Sequence, residues 1–451
     1  MANTNTELFE RIPVPKAVRR MMLPTIIGSL VMVLYSLADT LFVGMLNDEI
    51  QSAAVSLAAP ALIAFNAVNN LFGIGGSSMM SRALGANDTE TVRKSASFGF
   101  YGSVISGLIL SALCFIFMSP IARMLGAVSE TMDATTGYMF WAVAFGAVPS
   151  ILNVVMGYLI RAEGEAAHAS IGTISGCILN IILDPILILG CKMGAAGAGL
   201  ATFISNCFAC MYFFVLLFVR RKKSYINLNP KYFSLDKRIV MGVCGVGVPA
   251  SIQNLLNVTG MAVMNNFVKV YGAAAVAAVG IAQKIYMVPL QISIGGTQSV
   301  MPLVSYSYSN KNVTRFKDCI VYVTKIMLPA LAAVTVLCWI FAKPLVGLFI
   351  ESAEVVEYGK LFLRGFSACL PFMLIDFLAV GVFQSIGMGK KSLLFAILRK
   401  IVLEIPSIII LNMIFHASGI TYAGMIAEAV LAVYGAILLK RIVADMQKAN
   451  V

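Results

Sequence analysis

Leu179-Asn180-Ile181-Ile182-Leu183-Asp184-Pro185 places an acid in the middle of an otherwise apolar run. A carboxylate at the centre of a membrane helix costs roughly 2.5–3.5 kcal/mol on insertion scales. Asn180 and Asp184 are four positions apart, so on a helix they share one face, one turn above the other. Pro185 removes a backbone donor and frees the carbonyl one turn earlier. A carboxylate, an amide and a loosened backbone on one face make a candidate site for a small cation or a proton.

The rest of the chain supplies the membrane that this reading needs. Of 451 residues, 59% are hydrophobic and only 12% charged, with a mean hydropathy of +0.88. A soluble chain carries about a quarter charged residues. Apolar runs recur from near Met21 to near Leu439, which predicts a polytopic all-α membrane protein without a separate soluble domain. The N-terminal residues 1–20 carry charges throughout and have no signal-peptide core, so the first apolar run is expected to remain as a helix. A net charge of +12 would suit a nucleic-acid binder, but the basic residues sit in loops between apolar spans. That pattern sets membrane orientation and gives no reason to expect a nucleic-acid partner. Nine Cys are scattered without metal-ligand spacing and read as small core residues. His168 and His416 form no constellation. With no phosphate loop, nucleotide fingerprint, metal cluster or triad, an enzyme and a bound cofactor are not expected, and energy should come from an ion gradient.

Polar breaks divide the chain into twelve candidate helices. The first half reads about 20–45, 53–82, 95–119, 135–160, 167–190 and 196–219, the second about 239–270, 275–307, 320–346, 358–386, 392–415 and 418–439. Basic residues gather on one side of the spans: Arg19 and Arg20 before the first, Arg93 and Lys94 after the second, Arg220 to Lys223 after the sixth, Lys311, Arg315 and Lys317 after the eighth, Lys390 and Lys391 after the tenth, Lys440 and Arg441 after the twelfth. The alternate loops are acidic or nearly neutral, as at Asp48 and Glu49, Glu130 and Asp133, and Glu351, Glu354 and Glu357. Both termini are therefore expected in the cytoplasm.

The two halves resemble each other at a separation of roughly 220–225 residues. Cys114-Phe115-Ile116-Phe117 with Pro120 recurs as Cys338-Trp339-Ile340-Phe341 with Pro344. Gly75-Gly76-Ser77 recurs as Gly295-Gly296-Thr297, Pro149 as Pro371 and Pro185 as Pro406. Six helices per unit is an even number, so both units enter from the same side, as in transporters built from two bundles. The expected organisation is an N-terminal bundle over 1–219, a basic linker over 220–238 and a C-terminal bundle over 239–451.

Topology then gathers polar side chains at one depth. Asp39 precedes the first external loop (47–49), Asp184 precedes the external break at Cys191 to Met193, and Thr202 follows that break, each by about seven residues. At ~1.5 Å per residue all three lie about 10 Å below the outer surface, with Asn180 one turn deeper. Two acids, an amide, a hydroxyl and freed carbonyls make an all-oxygen set for a hard monovalent cation. The same acids are equally able to share a proton, since burial and a like neighbour both favour the neutral form. Intramembrane acids are functional by default; Asn180 and Thr202 taken singly are as readily helix-packing hydrogen bonders.

Ser36-Leu37-Ala38-Asp39-Thr40-Leu41-Phe42-Val43-Gly44 resembles the first-helix signature of the multidrug and toxic compound extrusion (MATE) family, prokaryotic type. So do Gly75-Gly76 ahead of Ser81 and Gly85-Ala86, Arg161-Ala162-Glu163-Gly164, Asn180-x-x-x-Asp184-Pro185, and Gly197-Ala198-Gly199-x-Ala201-Thr202. The resemblance implies twelve transmembrane helices in two pseudo-symmetric six-helix bundles around a central cavity. It implies a monomeric, multi-pass protein of the prokaryotic cell membrane that exports organic, often cationic drugs in exchange for Na⁺ or H⁺. It further implies an N-lobe Na⁺/H⁺ site at Asp39, Asn180, Asp184 and Thr202. Some members add an acid in the seventh helix; here that stretch reads Gln253-Asn254-Leu255-Leu256-Asn257-Val258-Thr259, so a C-lobe cation site like theirs is not expected.

Other polar groups take secondary roles. Asp376 in the tenth helix is a candidate substrate counter-charge or second proton site, and Tyr35, Gln253 and Asn257 are candidate substrate contacts. Lys400 and Glu404, four apart, neutralise each other along one helix. Arg399 pairs with Asp376 or with Glu428, which the sequence leaves open. Lys284 lines the cavity or snorkels. The rival function is a flippase for a lipid-linked sugar or similar amphiphile, for which Arg364, Arg399, Lys400 and Lys284 would supply phosphate contacts.

Overall fold

A computed structural model describes residues 4–46 and 48–449, so Asn47 of the first expected external loop and the extreme termini fall outside it. Among the described residues every regular element is a helix. A short helix, Thr4–Glu10, precedes α1 (Val14–Gly44), α2 (Glu49–Gly85) and α3 (Thr89–Ile116). The fourth span, α4, is a pair, Met132–Phe145 and Ala147–Ala162, bent by 48°. Then come α5 (Ala166–Gly190), α6 (Gly194–Val219), α7 (Lys237–Tyr271), α8 (Ala273–Ser309) and α9 (Val313–Ile340). The tenth, α10, is again a bent pair, Ala353–Ala368 and Leu370–Ser385, at 41°. The eleventh, α11, covers 389–415 in three pieces: Gly389–Ile397, a π-helical turn over Leu398–Glu404, and Ile405–Phe415. The last is α12 (Ala417–Ala449).

Nine helices are long and apolar enough to cross a bilayer among the described residues, and the two bent pairs raise this to eleven. The remaining span, α11, carries Arg399, Lys400 and Glu404 in its middle, more charge than the other spans hold in their apolar stretches. Most helices outrun their apolar windows. Polar flanks stay helical where headgroups and water can solvate them, as at the end of α12.

Contacts divide the chain into two compact units, 1–11 with 27–251 and 12–26 with 252–451. Two helices therefore pass from one unit to the other: α1 between Ile26 and Ile27, and α7 between Ser251 and Ile252. In the first unit α5 packs on α6 and α3 on the second half of α4. Gly176 permits the α5–α6 approach, because a Cβ there would sit 3.1 Å from both Ala209 Cβ and the Ser205 carbonyl. In the second unit Val268, Ala278, Ala282, Phe362, Ile420 and Ala423 form part of one buried core.

The duplication seen in the sequence reappears in backbone geometry. Left-handed residues recur in pairs at the repeat distance: Asn87 and Lys311, Gly164 and Gly387, Lys192 and His416. The first pair each precede a side chain that caps a helix, Asp88 on Thr91 N (3.0 Å) and Asn312 on Arg315 N (3.0 Å). Pro149 and Pro371 stand in the first turn after the bends of α4 and α10, where a missing N–H is harmless.

Candidate functional site

In α5 the α-helix runs to Asp184, and Pro185 opens a π-helical turn that ends at Gly190. The proline has no N–H to give, and the wider turn that follows lies beside a fully buried carboxylate. Asn180, one turn below, is also buried. Its amide Nδ2 donates to Asp184 Oδ2 at 2.8 Å, and its carbonyl accepts the Thr202 N–H of α6 at 3.1 Å. The same end of the amide lies 3.4 Å from Thr202 Oγ1.

The other side of the cluster comes from α1 and α4. Tyr35 stands with its hydroxyl near Thr202, one turn from half-buried Asp39. The charge of Asp39 acts on Asp184, on Tyr35 and on Tyr138, a buried residue of α4. A further polar layer supports α6: Asn206 Nδ2 donates to the Thr202 carbonyl (2.9 Å), and Asn153 Nδ2 to Asn206 Oδ1 (3.0 Å). The arrangement presents two carboxylates among neutral hydroxyls and an amide, a set of hard oxygens suited to a small cation or a shared proton.

Asn180, Asp184 and Thr202, chosen from the sequence, thus meet in one place, with Asp39 close enough for its charge to act on Asp184 and Tyr35 beside them. Tyr138 is the addition. It lies just inside the loop acids Glu130 and Asp133, so the depth argument applied to the first, fifth and sixth helices would have found it in the fourth.

The secondary candidates lie in the second unit and separate into groups. Gln253 accepts from Gln384 Nε2 (3.3 Å), which also donates to Ser392 Oγ (3.0 Å). Asn257 is half-buried on α7. Asp376 is fully buried on α10 and contacts the Arg399 guanidinium, whose Nε lies 3.4 Å from Glu428 Oε1. The choice the sequence left open is resolved as both acids. Lys400 pairs with Glu404 at 2.6 Å, and Lys284 is exposed.

Beyond the spans, the turn between α4 and α5 grips the linker. Buried Glu163 accepts from Ser224 Oγ (2.8 and 3.0 Å), Tyr225 N (2.5 Å) and Ile226 N (2.9 Å). Burial pushes its carboxyl up to about 7, against the pull of those donors. Gly164 has φ +87°, and a Cβ there would come within 2.9 Å of Leu8 and 3.1 Å of Phe9. Only glycine suits both that backbone and that contact. Glu165 and Arg220 form an ion pair beside it.

Comparison with known proteins agrees with this architecture. The profile of the MatE family matches residues 24–186 and again 249–410, once in each half. The multidrug export protein MepA of Staphylococcus aureus (strain MRSA252) is 33% identical over 431 residues, covering 94% of this chain and 93% of its own. The protein of the same name from Staphylococcus saprophyticus is also 33% identical, with the same coverage. Among solved structures, a MATE protein in the straight conformation superposes with a TM-score of 0.93 at 27% identity, over 99% of this chain and all of the other. An outward-facing multidrug resistance MATE family transporter gives 0.91 at 28%, again over 99% and 100%. A transporter from Pyrococcus furiosus, described as having a binding pocket of reverse polarity that suggests a different function, gives 0.91 at 27%, over 99% of each chain. A profile matched in both halves, and relatives matched along nearly their whole length, place this chain in the MatE family, the MATE transporters.

Proposed function

We propose that this protein is a secondary multidrug exporter that releases organic, often cationic compounds outward in exchange for Na⁺ or H⁺ taken up at Asp39, Asn180, Asp184 and Thr202. The observation that carries the reading is the buried Asp184 carboxylate, hydrogen-bonded by Asn180, which itself binds Thr202, and placed within the field of a second intramembrane carboxylate, Asp39. Two like charges in a low-dielectric site repel, and an entering cation or proton relieves that repulsion. Relief draws α1 toward α5 and α6. Because α1 begins in one unit and ends in the other, its movement is a direct route from ion binding to a change of transporter state.

The ion and the drug need only disfavour each other's bound state, and a coupling of about 1–3 kcal/mol is enough. The basic loops face the cytoplasm in this reading, and the protein acts in the cell membrane of a prokaryote, as its MepA relatives suggest. The flippase alternative needs free basic side chains for a phosphate, yet Arg399 and Lys400 are engaged by acids and Arg364 Nε donates to the Trp339 carbonyl (3.0 Å).

The test is drug efflux by Asp39→Asn and Asp184→Asn variants in a host lacking its own pumps. Unimpaired, gradient-driven efflux in both removes this site from the mechanism. Counterflow in proteoliposomes, with Na⁺ and pH gradients imposed separately, identifies the ion. Labelled lipid in place of fluorescent organic cations reads out the flippase alternative.

A further inference from the structure

One charged side chain of the second unit has no role in the exchange described above. Lys284 of α8 lies eleven positions after Ala273, the first residue of that helix. At ~1.5 Å per residue this is about 16 Å along the axis, close to half of a hydrocarbon core of ~30 Å and too deep for a lysine stem to snorkel out. The side chain is nevertheless exposed. It points away from the core of its unit. Ala275, Ala278, Val279 and Ala282 are buried on the opposite side of the helix, while Val276 and Val288 on its own side are 41% and 38% exposed. A Cβ built on Gly280, one turn before Lys284, would meet nothing within 4 Å.

That face is polar along its length. Gln291 and Gln298 follow Lys284 at steps of seven, and two helical turns per seven residues keep all three on one stripe. Both glutamines are half-buried, and among the described residues none of the three has a hydrogen bond or an ion pair. Bare against lipid, an ammonium and two amides would hold donors with nothing to meet, which hydrocarbon penalises. The stripe therefore faces water or a polar solute. Asp376, Glu404 and Glu428, the acids in the middle of this unit's spans, all stand against Arg399 or Lys400 and leave Lys284 uncompensated. An ammonium has three donors and no acceptor, and the glutamines add amide donors on the same stripe. Such a surface recognises an anion with several acceptor oxygens and repels a cation that lacks one.

We propose that Lys284 recognises the anionic group (a carboxylate, sulfonate or phosphate) of a transported amphiphile, so that a compound bearing such a group is preferred over its neutral or purely cationic counterpart. The proposal rests on the export reading and specifies its substrate class. Lys284 belongs to the second unit, whereas Asp39, Asn180, Asp184 and Thr202 belong to the first. A fixed ammonium then reads the substrate, and carboxylates read the coupling ion. Gln291 and Gln298 continue the donors along α8 and give the anionic group further places to bond as it moves.

The test is equilibrium binding, read by fluorescence anisotropy, of two matched probes to the full-length protein in phosphatidylcholine nanodiscs. The probes are a rhodamine with a free carboxylate and its ethyl ester, which lacks only that charge. The ratio of acid to ester affinity should fall about tenfold in Lys284→Met and return in Lys284→Arg. Lys284→Gln serves if the methionine variant does not fold. A ratio unchanged in the neutral variants overturns the proposal, even where the wild type exports both dyes, as does a wild type that binds the ester alone. A lost ratio in a protein without gradient-driven export supports the anion site and counts against the export reading. Phosphatidylglycerol added to the nanodiscs separates the other source of the same chemistry. If it abolishes the wild-type preference, a lipid headgroup is the occupant and the proposal is overturned.

Discussion

Asp184 on α5 and Asp376 on α10 are both fully buried acids, one in each of two repeated units, yet their neighbours differ in kind. Asp184 is met by the Asn180 amide and lies within the field of a second acid, Asp39, with tyrosine and threonine hydroxyls around them. Asp376 is met by a guanidinium that is itself buried and also faces Glu428. The surrounding shell decides what each acid is able to do. Neutral hydroxyls and amides orient a carboxylate without cancelling it, so cancellation falls to something that enters and leaves. A resident arginine cancels one charge permanently. The internal duplication thus repeats the helices and their turns, while the two acids stand at different repeat positions, Asp184 on the fifth helix of its unit and Asp376 on the fourth.

The largest test of this contrast is to remove the resident cation. Arg399→Met should destabilise the protein by about 3–5 kcal/mol, because it leaves two buried acids without their partner. Thermal unfolding in detergent measures this, and Asp376→Asn with Glu428→Gln in the same chain should restore most of the loss. A neutral outcome for Arg399→Met would mean that the guanidinium is not what balances the second cluster.

Next in size is the mobile charge of the first cluster. Asp184→Asn should lower ion-coupled efflux by at least about tenfold while shifting the unfolding midpoint little, since an amide fits the shell that Asn180 already provides. If the fold suffers as much as transport does, Asp184 is structural and the contrast with Asp376 collapses.

A subtler change sharpens the same point. Asn180→Leu removes a hydrogen bond to a charged group, worth about 1.5–3 kcal/mol. The concentration of coupling ion giving half-maximal efflux should rise about tenfold or more, a factor of ten corresponding to 1.4 kcal/mol. An unchanged ion dependence would remove Asn180 from the site.

The smallest effect belongs to a third kind of buried acid, Glu163, which lies outside the spans and is bonded by backbone donors of the linker. Burial raises its carboxyl from 4.5 to about 7 against the pull of the linker donors, so the folded state favours the protonated form. Its contribution to stability is fully present below the unfolded value and is lost as pH rises through about 7. Between about pH 5 and about pH 8 the unfolding midpoint should fall in the wild type and stay flatter in Glu163→Gln. Parallel profiles would show that another group carries the pH dependence.

Much of this molecule was legible as a string of residues. Long apolar runs and the alternation of basic and acidic loops are local signals, and they located the spans. The recurrence of Pro149 as Pro371, and of the Gly75-Gly76 pair as Gly295-Gly296, revealed the duplication. Counting residues inward from the same end of neighbouring helices brought Asp39, Asp184 and Thr202 to one depth, because helical rise is nearly constant. Helix ends were less legible, since polar flanks continue the helix beyond the apolar window, as α12 does to Ala449.

Tertiary structure alone decided the rest. It brought Arg399 against Asp376 and Glu428 together, and closed Glu163 over residues 224–226. It also divided α1 and α7 between two compact units in the middle of continuous helices. Hydropathy and periodicity report the environment of one helix at a time. Which long side chain meets which acid depends on the rotation and spacing of helices remote in sequence, and those are set by packing.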